Sequence, residues 1–128
     1  MSKAMLMLLF SAVCNSAAAE WVAVGKHAAL TIYANPATIF KNGNKVKMWG
    51  LRDFNAEQTD LEGFLYASIM IQKNFDCKKG QYQISNYSYH AENMGKGKVI
   101  HNSLNHGSWR KITPYSITDV EKKVACGE

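Results

Sequence analysis

The sequence predicts an α+β domain, a single antiparallel β-sheet of about six strands with one C-terminal helix packed on it. Three observations lead there. Most of the chain beyond residue 20 alternates apolar and polar residues between turn-forming clusters. A single segment, 116–126, has clear helical spacing, with Ile117, Val120 and Val124 on one face. The chain has 128 residues, enough for one domain and not two.

The elements follow in order. Residues 21–26 and 29–34 are short runs rich in Val, Ile, Trp and Tyr, a first strand pair around Gly25-Lys26-His27. Asn35-Pro36 is expected to break the chain, with one short helical turn over 37–40 and a tight turn at Asn42-Gly43-Asn44. Residues 45–54 place Val46, Met48, Trp49 and Leu51 in close order, as in a central strand covered on both faces. The polar, acidic stretch 55–63 reads as a surface loop. Residues 66–77 then alternate cleanly. Ile69, Ile71, Phe75 and Cys77 share a face with Lys73, while Ser68, Gln72, Asn74 and Asp76 share the other. After the Lys78-Lys79-Gly80 turn, 81–90 is a strand whose phase slips between Tyr82/Ile84 and Tyr87/Tyr89, which predicts a β-bulge near Ser85-Asn86. Gly95-Lys96-Gly97-Lys98 reads as a hairpin turn before a short strand, 98–102, and 103–108 as a loop. For the last helix, Thr118 with Glu121 has the spacing of a capping box, and Ser116 with Asp119 is the weaker alternative. Gly127 follows as a C-cap.

Residues 1–19 read as a cleaved signal peptide. Lys3 supplies the charge, 4–14 are apolar, and Ala17-Ala18-Ala19 precedes an abrupt change at Glu20-Trp21. The run is too short for a membrane-spanning helix, which needs about 20 apolar residues. Cys14 offers lipid attachment as a second route, but Val13 stands where that processing takes a small residue. Export to the periplasm or outer surface is therefore expected, with 20–128 as the mature domain. The formal net charge of +5, one unit of it from Lys3, is far from the dense basic stripe of a nucleic-acid binder. Cys77 and Cys126 are the only cysteines after the leader. An even pair in an exported small domain reads as a disulfide, two free buried thiols being the alternative.

No catalytic or metal constellation stands out, so the reading is non-enzymatic and without a cofactor. His27, His90, His101 and His106 lack metal-ligand spacing, although His101 and His106 bracket a polar loop with Asn102 and Asn105. There is no Gly-x-Ser-x-Gly elbow. Lys96 and Lys98 are candidates for contact with an anionic group, at an exposed turn that lacks the rest of a P-loop. Trp21, Trp49 and Trp109 are expected in the core. The tyrosines fill the core or make a contact surface, since Tyr buries area at low entropy cost.

An ordered set of residues is also familiar. It runs Trp21-Val22, Tyr33-Ala34-Asn35-Pro36-Ala37-Thr38-Ile39, Gly43, Val46-Lys47-Met48-Trp49 and Asp76-Cys77. It continues with Asn93-Met94-Gly95-Lys96-Gly97, Trp109, Pro114-Tyr115-Ser116 and Ala125-Cys126-Gly127. Together they resemble the surface-adhesin protein E family of Gram-negative bacteria, over nearly the whole mature chain. The resemblance implies an antiparallel sheet with a packed helix, a Cys77–Cys126 bond and an envelope location. It also implies an adhesin-like domain that binds host extracellular proteins. A soluble periplasmic binding or inhibitor module is the alternative.

Overall fold

The computed structural model describes residues 20–104 and 106–128; the expected leader 1–19, with Cys14, and Asn105 lie outside the described residues. Among the described residues there are seven strands and one α-helix: β1 (Val22–Lys26), β2 (Leu30–Asn42), β3 (Lys45–Thr59), β4 (Leu65–Asp76), β5 (Gln81–His90), β6 (Val99–Ser103), β7 (Arg110–Lys111) and α1 (Ile117–Cys126). Strands β1 to β6 lie side by side in chain order, each antiparallel to the next, and β7 pairs with β5 beyond the end of β6. The expected fold class is thus the observed one. Short connections between sequential antiparallel neighbours account for the topology.

Two long strands replace segments expected to be irregular. Asn35-Pro36 does not end β2, and 37–40 are not helical. Asn35 pairs with Trp49 and Phe40 with Lys47, so 36–39 loop out opposite Met48 alone. Pro36 has no N–H to offer a ladder, and a bulge is where a strand tolerates that. Thr38 closes the gap: its hydroxyl donates to Asn35 O (2.7 Å) and accepts from Trp49 N (3.0 Å). Likewise 55–59 belong to β3, past an irregularity between Asp53 and Gln58. Only 60–64 form the loop, folded by Asp60 Oδ1, which accepts from the amides of Glu62 and Phe64 at 2.9 Å. The polar composition of 55–59 reflects an exposed strand tail rather than a loop.

The bulge in β5 falls where the phase slip places it. Gln72 pairs with Asn86 and Lys73 with Ile84, leaving Ser85 unpaired. The 95–98 segment is more than a hairpin turn. It belongs to a longer connection with a 3₁₀ turn, Asn93–Gly95, that packs on β3 and β4. Asp53 Oδ1 accepts from Met94 N (2.7 Å) and from Asn93 Nδ2 (3.0 Å), and Ser68 Oγ accepts from Gly95 N (2.9 Å). Met94 is held at φ +60°, a conformation costly for a side-chain-bearing residue.

The helix covers one half of one sheet face. Its core contacts are Ala34, Val46, Met48 and Phe75, with Ala125 from the helix. Cys77 at the end of β4 and Cys126 at the end of α1 are bonded, with their Cα atoms 5.9 Å apart. Ile117, Val120 and Val124 are only half-buried. The residues pressed into the sheet are Glu121 and Ala125. Glu121 forms a buried ion pair with Lys73, Nζ to Oε1 at 2.5 Å, and Lys73 also donates to Thr118 Oγ1 (3.1 Å). The capping-box assignment is therefore corrected: Thr118 and Glu121 both turn inward to Lys73. Ser116 is the N-cap, accepting from Asp119 N (3.1 Å). Gly127 ends the helix at φ +74°. The three tryptophans are half-buried rather than core residues; Phe75, Ile32, Met48 and Leu51 fill the fully buried centre instead.

Candidate binding face of the sheet

Strand register shows how far the helix-bearing face runs past the helix. One rung across the sheet runs Ile32, Arg52, Ile69, Tyr89 and His101, from β2 to β6. The next runs Ala34, Gly50, Ile71, Tyr87 and Ser103. Because Ser85 is looped out, Tyr87 and Tyr89 fall on the same face as Tyr82 and Ile84, although their sequence phase is opposite. The helix covers the lower rungs, through Val46, Met48, Lys73 and Phe75. Beyond it the same face carries a groove of about 230 Å³ lined by Arg52, Ile69, Ile71, Ile84, Tyr87 and Tyr89.

Aromatic rings form a continuous strip along this open half. Phe54 meets Tyr66 at 5.8 Å between centroids, Tyr66 meets Tyr89 at 4.7 Å, and Tyr89 meets Tyr87 at 5.9 Å. His101 extends the strip, within 6 Å of both Tyr87 (5.8 Å) and Tyr89 (5.9 Å). The contacts among Phe54 and the three tyrosines are edge-on, as the ring quadrupole prefers. Burial, reinforced by its tyrosine neighbours, raises the Tyr89 phenol above its usual range, so it stays neutral. A second groove of about 260 Å³ shares Tyr87 and Tyr89 and continues to His101, Asp60, Leu61 and Glu62. Leu61 stands fully in solvent on the 60–64 loop. Arg52 closes the other end, and its Nε is buried without a hydrogen-bond partner.

The sequence-level candidates are placed as follows. Lys96 and Lys98 are both exposed in the β5–β6 connection. Lys96 borders a third, larger groove of about 530 Å³ together with Glu57 and Glu92, whose carboxylates temper its charge toward an anion. Neither lysine lines the two grooves beside the tyrosines. His90 Nε2 lies 2.7 Å from Ser88 Oγ, but its buried Nδ1 has no partner, so the orienting carboxylate of a catalytic triad is missing from this pair. Burial lowers the His90 pKa and keeps the ring neutral. Among the described residues no cluster of three His, Cys, Asp or Glu side chains could hold a metal ion.

A family model for Surface-adhesin protein E matches residues 21–127. The chain belongs to the surface-adhesin protein E family. No curated protein matches it. Among solved structures, one of Haemophilus influenzae protein E superposes with a TM-score of 0.67 at 12% identity, covering 91% of each chain. A second crystal form of that protein gives 0.68 at 11% identity over 88% of this chain and 91% of the other. Protein E from non-typeable Haemophilus influenzae gives 0.61 at 12% identity over 91% and 92%. At such identities the likeness to protein E is one of fold.

Arg52 was passed over in the sequence because one arginine in an apolar strand has no local signature. Tyr87 and Tyr89 stand out in the sequence as candidate contact aromatics and as a phase slip. That slip was the available signal, since a bulge turns two out-of-phase tyrosines onto the face of their neighbours.

Proposed function

We propose that residues 20–128 are a non-enzymatic, exported binding domain of the cell envelope that grips a partner protein with the open half of its sheet. The observation that carries this reading is the aromatic strip from Phe54 to His101, left uncovered by α1 beside two grooves. Tyr supplies contact area at little conformational cost and is enriched where interfaces hold most of their binding energy. Membership of a surface-adhesin family supports the partner class, an extracellular protein of a host.

Export rests on the leader, with cleavage between Ala19 and Glu20, and on a disulfide that suits an oxidising compartment. No helix among the described residues is long and apolar enough to cross a membrane. Lys96 and Lys98 are proposed as a secondary contact for sulfated or phosphorylated polymer, weak and screened at physiological salt.

Two measurements test the reading. Intact mass of the exported protein should begin at Glu20, and a diacylglyceryl mass on Cys14 would replace cleavage with lipid anchoring. Purified residues 20–128 should bind at least one of a panel of immobilised extracellular-matrix proteins. Binding to none, together with release only by osmotic shock, would instead make the domain a soluble periplasmic module.

A further inference from the structure

We infer that the groove under Tyr87 and Tyr89 takes a partner segment carrying an acidic side chain, then apolar residues, then a basic side chain. This rests on the protein-binding reading above and specifies the chemistry of what is bound. The structure supplies a cation, an apolar floor and an acidic rim in one line.

The cation is Arg52. It lines the groove, and its Nε is buried with no hydrogen-bond partner among the described residues. Among the described residues it forms no ion pair of the kind that occupies Lys73, Lys122 and Lys123. An unpaired buried donor is uncommon and calls for an acceptor. A guanidinium that lines a groove can take a carboxylate through two parallel hydrogen bonds. The floor is Ile69, Ile71 and Ile84, walled by the two tyrosines. The acidic rim follows in the adjoining groove, which shares Tyr87 and Tyr89 and ends at Asp60 and Glu62. Asp60 spends one oxygen on the turn of its own loop. Exposed Glu62 is the more accessible carboxylate of the two.

Length separates a peptide from a small apolar acid. Arg52 and His101 stand on β3 and β6, three strand spacings apart, or about 14 Å at 4.7–4.9 Å each. An extended peptide rises about 3.3 Å per residue, so about four residues span that width. A ligand that meets Arg52 with an acid thus reaches His101 about four positions on, in the groove that Glu62 also lines, where a base would meet that carboxylate. The open sides of both grooves admit a chain passing through.

The test is selection from a phage-displayed library of random 12-residue peptides on purified residues 20–128. Enriched sequences should hold Asp or Glu, two or three apolar residues, and then Lys or Arg. A synthetic peptide from the winners should lose about tenfold or more in affinity toward Arg52→Met, as expected for a charge-assisted contact. Glu62→Lys should reverse the preference at the basic end only. Because Arg52→Met is partly buried and could unfold, the wild-type protein supplies an independent readout. Peptide titration should shift the amide resonances of Ile69, Ile71, Tyr87 and Tyr89. Winners without an acid, equal binding by folded Arg52→Met, or shifts confined to other strands would overturn the inference. So would decanoate binding in the groove as tightly as the peptide, which would make the ligand a small apolar acid. If the domain binds a matrix protein yet none of these peptides, the inference falls and the protein-binding reading stands.

Discussion

Replacing Glu121 with alanine removes the counter-charge from a lysine with only 2% of its surface in solvent. Lys73 would keep two partners, the Thr118 hydroxyl at 3.1 Å and the Tyr82 ring at 5.7 Å, neither of which carries charge. Burial already pushes the Lys73 ammonium below the usual lysine range, and Glu121 is what pulls it partly back. Breaking a buried pair from one side costs about 3–5 kcal/mol, because the other charge stays buried and unpaired. A domain of this size has about 5–15 kcal/mol in all, so Glu121→Ala should remove a large share of the stability. Replacing both partners by apolar residues, Lys73→Met with Glu121→Leu, should restore most of it, since an apolar pair of similar volume is often neutral or better. Gly50 limits the choice. A Cβ there would stand 2.6 Å from Glu121 Oε2, so the leucine has little room on that side. Urea unfolding of the two single variants and the double variant gives the coupling directly. The loss in Glu121→Ala should also shrink as pH rises. With its folded pKa depressed, Lys73 sheds its proton before the unfolded chain does, and stability climbs toward the unfolded lysine value. A Glu121→Ala protein within about 1 kcal/mol of wild type, well below the cost of breaking a buried pair, would refute this account of how α1 is held.

Three further outcomes are expected. Cys77→Ala or Cys126→Ala should each cost about 2–5 kcal/mol in urea unfolding, and the double variant should be little worse than either, because one crosslink is lost in every case. Asp76 and Asp119 are held below the usual carboxylate range, Asp76 chiefly by the Lys79 amide and Asp119 chiefly by the Tyr115 amide. The unfolded chain therefore takes up protons first, so thermal stability should hold down to about pH 4 and fall below it, with Asp76→Asn flattening that limb. Lys96→Ala with Lys98→Ala should elute earlier from a heparin column than wild type without altering the melting temperature; unchanged retention would leave the pair as ordinary surface lysines.

Much of the sheet was legible because alternation is a local signal. Strand β4 could be read residue by residue, with Lys73 visible as a charge among Ile69, Ile71 and Phe75. Its partner was not legible. Glu121 also satisfies the spacing of a capping box, and only the docked helix shows that Ser116 does the capping. The bulges at 36–39 and 54–57 were invisible for a related reason. Proline and polar residues end strands in most contexts, and the bonds that carry these strands through come from Thr38 and from β-partners far along the chain. The binding face was half legible. Tyr87 and Tyr89 announced a bulge, but the open half of the face is set by where α1 docks on the sheet, which no local pattern shows. Arg52 gains meaning from register with Ile69 and Tyr89, a relation between three strands that no window of sequence contains.

The central claim, that the uncovered aromatic strip is where this domain binds, meets its most direct test in one surface-binding comparison. Purified residues 20–128, wild type and Tyr87→Ser with Tyr89→Ser, would be titrated on the matrix protein that wild type binds best, with melting curves confirming that both are folded. The account predicts a loss of about tenfold or more in affinity for the tyrosine variant, in keeping with two aromatic anchors at an interface centre. It predicts no such loss for Lys96→Ala with Lys98→Ala at physiological salt. A folded tyrosine variant that binds as wild type does would contradict it.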